Sequence, residues 1–200
     1  MNFSHQKIAG FTLIEMLVAL SLFTIVVTIA VGAFLSLIGA SKGVQSEQSV
    51  MTTLTFVLDS MTREIRTGNN YYCDDYNTLR TSTLSTSTIR DCSSGDNGLS
   101  FVEAGSSITS GSSNKRIAYY FDTSTATNTI MRKVGNGTPQ SIVAGGITVT
   151  KAEFFVTGTT RLGTGTDTNQ PTVTIILEAR DETGATTTLQ TTVTQRELDI

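Results

Sequence analysis

The 200-residue chain has one histidine, two cysteines and few charges of either sign, with 14 lysines and arginines against 17 aspartates and glutamates. Each shortage closes a class of function. The lone histidine, His5, sits at the extreme N-terminus, so no Ser/His/Asp or Cys/His arrangement for nucleophilic catalysis remains downstream. Carboxylates Glu153, Glu178, Asp181 and Glu182 are the remaining acid–base material, and nothing in their spacing sets two of them across a cleft. The chain therefore reads as a non-enzyme with no cofactor. A formal net charge of −3 implies no general attraction to nucleic acid or anionic lipid, and no direct nucleic-acid binding is expected.

Charge is missing most conspicuously from Met16 to Gly39, where nothing ionises. This stretch clears the roughly 20 apolar residues that a helix needs to cross a bilayer. A secretory signal peptide would place a small-residue cleavage site after a run of roughly 7–15 apolar residues. Here the small residue, Gly10, comes before the run, and the run is longer. A plain anchor fits the length but leaves Glu15 unexplained, because an ionised group in hydrocarbon is costly and usually has a partner or a task.

A cut between Gly10 and Phe11 supplies that partner. The new α-amine would begin the helix and Glu15 would lie in its first turn, where a carboxylate is favourable. The amine of an adjacent subunit could neutralise Glu15 in a packed assembly, making the charge costly alone and tolerable in the polymer.

Lys7-Ile8-Ala9-Gly10 followed by Phe11-Thr12-Leu13-Ile14-Glu15 resembles the class III signal of type IV pilins and type II secretion pseudopilins. The resemblance implies cleavage after Gly10 by a prepilin peptidase, N-methylation of Phe11, and pairing of Glu15 with a neighbouring subunit's amine. It also implies a single-pass anchor in the cytoplasmic membrane, in contact with lipid, with the head extracytoplasmic. The subunit would then move into a periplasmic or surface filament with other pilins or pseudopilins and the inner-membrane assembly platform. Many members carry a proline near the position of Gly32, so a gentle bend replaces a sharp kink as the expectation here.

Helical periodicity continues beyond the membrane run. Val44, Met51, Leu54, Leu58, Met61 and Ile65 form an apolar stripe, while Asp59, Arg63, Glu64 and Arg66 read as decoration of the polar side. The spacing predicts a helix from about Thr12 to Gly68-Asn69-Asn70, with residues 69–98 as a long surface connection holding at most one short strand. Strand composition recurs at Leu99–Val102, Ile117–Phe121, Thr129–Val134, Ile147–Thr157, Pro171–Ala179 and Thr186–Gln195. Val173, Ile175, Leu177 and Ala179 share one strand face, with Leu189 and Val193 as candidates to match them. The 36 threonines suit solvated strands, since a β-branched side chain fits a pleated surface. The expected fold is α+β and type IV pilin-like, a long N-terminal helix packed against a C-terminal antiparallel sheet.

Cys73 and Cys92 lie nineteen positions apart. In an oxidising compartment a disulfide would staple the connection, by about 3 kcal/mol in the chain-entropy model. Free thiols and metal ligation are the other readings, the last without a histidine or second cysteine pair to support it. Asp74, Asp75, Asp91 and Asp96 offer oxygen ligands suited to calcium, but in no recognised loop spacing, so a solvated loop is the simpler reading.

The segment "IAYYFDTSTATNTIMRKVGNG" resembles the strand-turn-strand of J-type minor pseudopilins and W-type minor pilins. That resemblance implies a minor subunit that helps initiate or cap a filament, in a type IV pilus, type II secretion or DNA uptake. A major filament-forming pilin is the alternative, and a membrane-anchored extracytoplasmic binding protein the second. By resemblance the presence of Glu15 argues against the extreme tip, where the subunit lacks it. The organisation read from the chain is a leader over 1–10, a membrane and assembly helix over 11–38, a helical spine over 39–68 and a β-rich head over 69–200.

Overall fold

The computed structural model describes residues 10–81, 84–106, 116–124, 128–160 and 169–196. It divides into two compact units, one ending at Val44 and the other beginning at Gln45. Helix α1, Leu13–Thr67, runs through the boundary. In the first unit its apolar side chains are exposed.

The second unit is α+β. After the C-terminal part of α1 come β1 (Asn69–Cys73), helix α2 (Tyr76–Thr81), β2 (Cys92–Asp96), β3 (Gly98–Val102), β4 (Arg116–Asp122), β5 (Thr129–Val134), β6 (Gln140–Ser141), β7 (Ile147–Thr157), β8 (Thr172–Asp181) and β9 (Thr186–Thr194). The strands form two sheets, with orders β1-β3-β4-β5-β6 and β2-β7-β8-β9, and neighbours within each are antiparallel. Two sheets replace the single one expected from the sequence.

α1 stops where the backbone must approach the sheet. A Cβ at Gly68 would run into the ring of Phe101, and two residues later Asn70 takes a left-handed φ of 51°, a conformation asparagine tolerates better than most residues. Tyr71 secures the exit by donating from its hydroxyl to the carbonyls of Ile65 and Gly68, at 2.6 and 2.9 Å.

The stripe buried in this unit is Val50, Leu54, Val57, Leu58, Met61 and Ile65. Val44 and Met51, assigned to the stripe from sequence, are more than half exposed. The 3.6-residue repeat accommodates either set for two turns; the sheets select the one that includes Val50 and Val57. Against this stripe lie Leu99, Phe101, Ile117 and Tyr119 from one sheet, with Phe154, Ile175, Leu177 and Val193 from the other. Each such side chain taken from water contributes about 1.5–3 kcal/mol.

β4 is buried on both faces, which accounts for its unbroken apolar run. Ile117, Tyr119 and Phe121 enter the main core, while Ala118 and Tyr120 meet Leu79 of α2, with Tyr72, Tyr76, Leu84 and Met131 around them. Residues 69–98 are thus more ordered than a surface connection: they hold β1, α2 and β2 and build a second small core. Glu64 also departs from the decoration assigned to it. It accepts from Tyr119 Oη at 2.6 Å and from Arg132 Nε and Nη2 at 3.1 and 2.9 Å, tying α1 to β4 and β5. Burial, with the Glu64 carboxylate beside it, pushes the Tyr119 hydroxyl up. Asp59 and Arg63 do form an exposed pair four residues apart, at 3.1 Å.

Arg116 organises the loop between α2 and β2. Its side chain is almost wholly buried, and it donates to Ser100 Oγ and to the carbonyls of Ser85, Thr86, Asn70 and Thr88. Desolvation pulls its pKa down to about 10, so the cation persists at neutral pH. At the end of α2, Lys133 Nζ donates to the carbonyls of Leu79 and Arg80 and closes the C-terminal turn.

A disulfide joins Cys73 of β1 to Cys92 of β2, with a Cα–Cα distance of 5.8 Å, and so links the two sheets.

Candidate processing and assembly site

The proposed junction is open. Gly10 and Phe11 precede the helix, both exposed, Phe11 by 78%. Lys7, Ile8 and Ala9 lie outside the described residues. Thr12 begins the helix: the Glu15 backbone N–H donates to its hydroxyl at 3.3 Å and the Met16 N–H to its carbonyl at 3.2 Å. This is an N-cap, which satisfies a backbone donor that would otherwise be orphaned. Thr12 was not singled out from sequence, although Thr-x-x-Glu ahead of an apolar run is the signature of a capping box.

The cap fixes Glu15 at the third helical position. The carboxylate therefore lies in the first turn, beside the partial positive charge of the helix end. Phe11, Leu13, Ile14 and Met16 around it are all more than 60% exposed. The carboxylate stands among apolar side chains that no described residue covers.

Beyond Glu15 the helix suits a medium without water. An 18-residue window reaches a mean hydropathy of 2.5. Three of its hydroxyls are satisfied internally, Ser21 donating to the Val18 carbonyl, Thr24 to Ser21 and Thr28 to Thr24, each at 2.8 Å. Such back-bonding removes the cost of polar groups in hydrocarbon.

The other sequence candidates are drawn into structural work. Asp74 accepts from the Tyr72 hydroxyl at 2.7 Å and from Arg90 at 2.6 Å. Burial alone would raise its pKa, but those two donors and the Asp75 N–H outweigh it and hold the carboxyl below its ordinary value. Asp75 caps α2 through the N–H groups of Asn77 and Thr78. Asp91 accepts from the N–H groups of Gly158 and Thr159, and Asp96 from that of Asn97. The fold gives these four acids separate partners, and among the described residues no three Asp, Glu, His or Cys side chains converge to hold a metal. Of the acid–base candidates, Glu153 pairs with Lys151, Glu178 accepts from Thr150, and Asp181 accepts from the N–H groups of Thr183 and Ala185 in the β8–β9 turn.

A long N-terminal helix that is capped, apolar and carries a carboxylate in its first turn, followed by antiparallel sheets, is consistent with an α+β, type IV pilin-like fold and fits a membrane-anchored N-terminus. Residues 5–38 match the family model of the prokaryotic N-terminal methylation motif. Neither the curated proteins nor the solved structures compared with the chain gave a match. The motif supports a type IV pilin or pseudopilin, a structural subunit that implies processing by a prepilin peptidase and assembly with other pilins.

Proposed function

We propose that this chain is a minor subunit that helps initiate or cap a type IV pilus-like filament. Prepilin peptidase cuts after Gly10 and methylates Phe11, and Glu15 receives the new amine of a neighbouring subunit as the helix leaves the cytoplasmic membrane for the filament. The functional divisions are a leader over 1–10, an assembly helix over 11–38, a spine over 39–68 and an extracytoplasmic head over 69–200. The observation that carries this reading is Glu15, held by the Thr12 cap in the first turn of a helix that has no other charge before Lys42, inside a matched methylation motif. J-type minor pseudopilins and W-type minor pilins are the resembled subtypes, through the strand-turn-strand that begins with β4 and β5.

Stoichiometry separates a minor from a major subunit. Quantitative mass spectrometry of sheared filaments should find this chain far below the most abundant pilin-like protein, and its deletion should lower filament number or secretion. A chain that makes up most of the filament is a major pilin. One missing from filaments, with deletion harmless to them, returns the reading to a membrane-anchored binding protein.

A further inference from the structure

The two sheets have four outer edges, and three are blunted. β1 is covered by the segment before β2, with Arg90 N–H donating to the Tyr71 carbonyl, Cys73 N–H to the Arg90 carbonyl, and the disulfide beside them. β6 is two residues long. β2 is short, carries Gly95 at a φ of 81°, and pairs with β7 in a broken register. These are the ordinary protections of exposed edges.

β9 has none of them. It is nine residues long, "TTTLQTTVT", without charge, proline or glycine, and it pairs with β8 in unbroken register from Thr172↔Thr194 to Arg180↔Thr186. Among the described residues nothing pairs with its other side. Half of the backbone N–H and C=O groups of an antiparallel edge strand point away from its partner, at a spacing that only another extended chain matches.

The surroundings of this edge fit an added strand. An open groove of about 350 Å³ runs between β9 and α1, lined by Leu189, Gln190 and Thr191 on one side and Thr55, Leu58, Asp59 and Thr62 on the other. A strand beside β9 would direct every second side chain into that groove. Next along the helix, Phe56 is 72% and Met51 54% exposed, and with Thr52, Thr55 and Asp59 they line a second hollow. On the outward face Thr186, Thr188, Gln190, Thr192 and Thr194 offer hydroxyls and an amide for cross-strand pairing, as Thr192 already does with Thr174 at 2.9 Å.

We propose that this edge of β9, unpaired among the described residues, accepts an extended strand from a different subunit of the same assembly, β-branched on its outward row and, on the row that enters the groove, of side chains that suit Leu58 and Leu189 beside the polar Thr55, Asp59 and Thr62. The source of the strand rests on the assembly reading above; the edge and groove do not. Two β9 strands paired with each other would form a closed, isologous contact that consumes the edge without extending an assembly, so the strand comes from a different chain.

The test installs a photo-reactive benzophenone side chain in the full-length protein in its own cells, at Thr188, Gln190 or Thr192 of β9, at Gln140 of β6 as the edge control, and at Leu17 in the stem. The proposal expects adducts from β9 on one neighbouring pilin-like chain, with the attachment point stepping by about two residues for each two-residue move along β9. Adding lysines through Thr188→Lys with Thr192→Lys should cut the Gln190 adduct by about tenfold or more. Adducts from Leu17 without any from β9 above the Gln140 level overturn the proposal and leave the assembly reading intact. Absence of adducts at every position overturns both. Attachment at one fixed partner residue, or between Gln190 and its own copy, also overturns it, in favour of a side-chain contact or a self-paired dimer.

Discussion

Replacing Glu15 with alanine should leave the protein inserted and its head folded, yet reduce its incorporation into filaments by more than about tenfold, the scale for losing one partner of a charge pair that assembly removes from water. The helix start survives the change because its cap is the Thr12 side chain and the Glu15 backbone, which alanine retains. What disappears is the acceptor proposed for a neighbour's amine. Glu15→Gln should be nearly as defective, since an amide keeps shape but not charge, whereas Glu15→Asp should recover part of the assembly. Counting the subunit in sheared filaments against the membrane fraction measures each case. Equal incorporation of alanine and wild type would remove Glu15 from the assembly step.

The second large effect belongs to Arg116. Arg116→Met keeps most of the side chain's volume and removes the guanidinium, depriving the Asn70 and Thr88 carbonyls of that donor, while the Thr86 and Ser85 carbonyls keep the Asn70 side-chain amide and the Thr88 N–H. Unsatisfied buried acceptors cost about 1–3 kcal/mol each when water cannot reach them. Because the loop can open to solvent, a total of about 3 kcal/mol is expected, or roughly 6–12 °C in melting temperature for a domain of this size. Arg116→Lys should recover little, since one ammonium cannot span carbonyls reached by a planar fork. Thermal unfolding of the detergent-solubilised full chain provides the measurement. A loss below 1 °C would mean that the loop is held without Arg116, by the disulfide, Asp74 and the Asn70 side chain on the Thr86 carbonyl.

Strands with two-residue alternation were legible without coordinates: Val173, Ile175, Leu177 and Ala179 all reach the core. So was the end of the long helix, because Gly68 and Asn70 are there for a close approach and a left-handed turn. Residues 69–98 were not. Their order comes from partners distant in sequence, chiefly Arg116 for residues 84–88 and β4 for α2, and a serine- and threonine-rich segment carries no local trace of them. Glu64 was misjudged for the same reason, since Arg132 and Tyr119 lie more than fifty residues away along the chain. At the candidate site the position of Glu15 was fully readable, while its Thr12 cap was readable and overlooked. The division into two sheets was not readable, because strand composition does not disclose which edges pair.

The central claim is that residues 5–38 are a processing and assembly signal rather than a simple anchor, and the mature N-terminus decides it. Intact-mass and N-terminal peptide analysis of the native protein should find a chain that begins at Phe11 and is heavier by one methyl group. A mature protein that still begins at Met1, or one cut after the apolar run, would contradict the account.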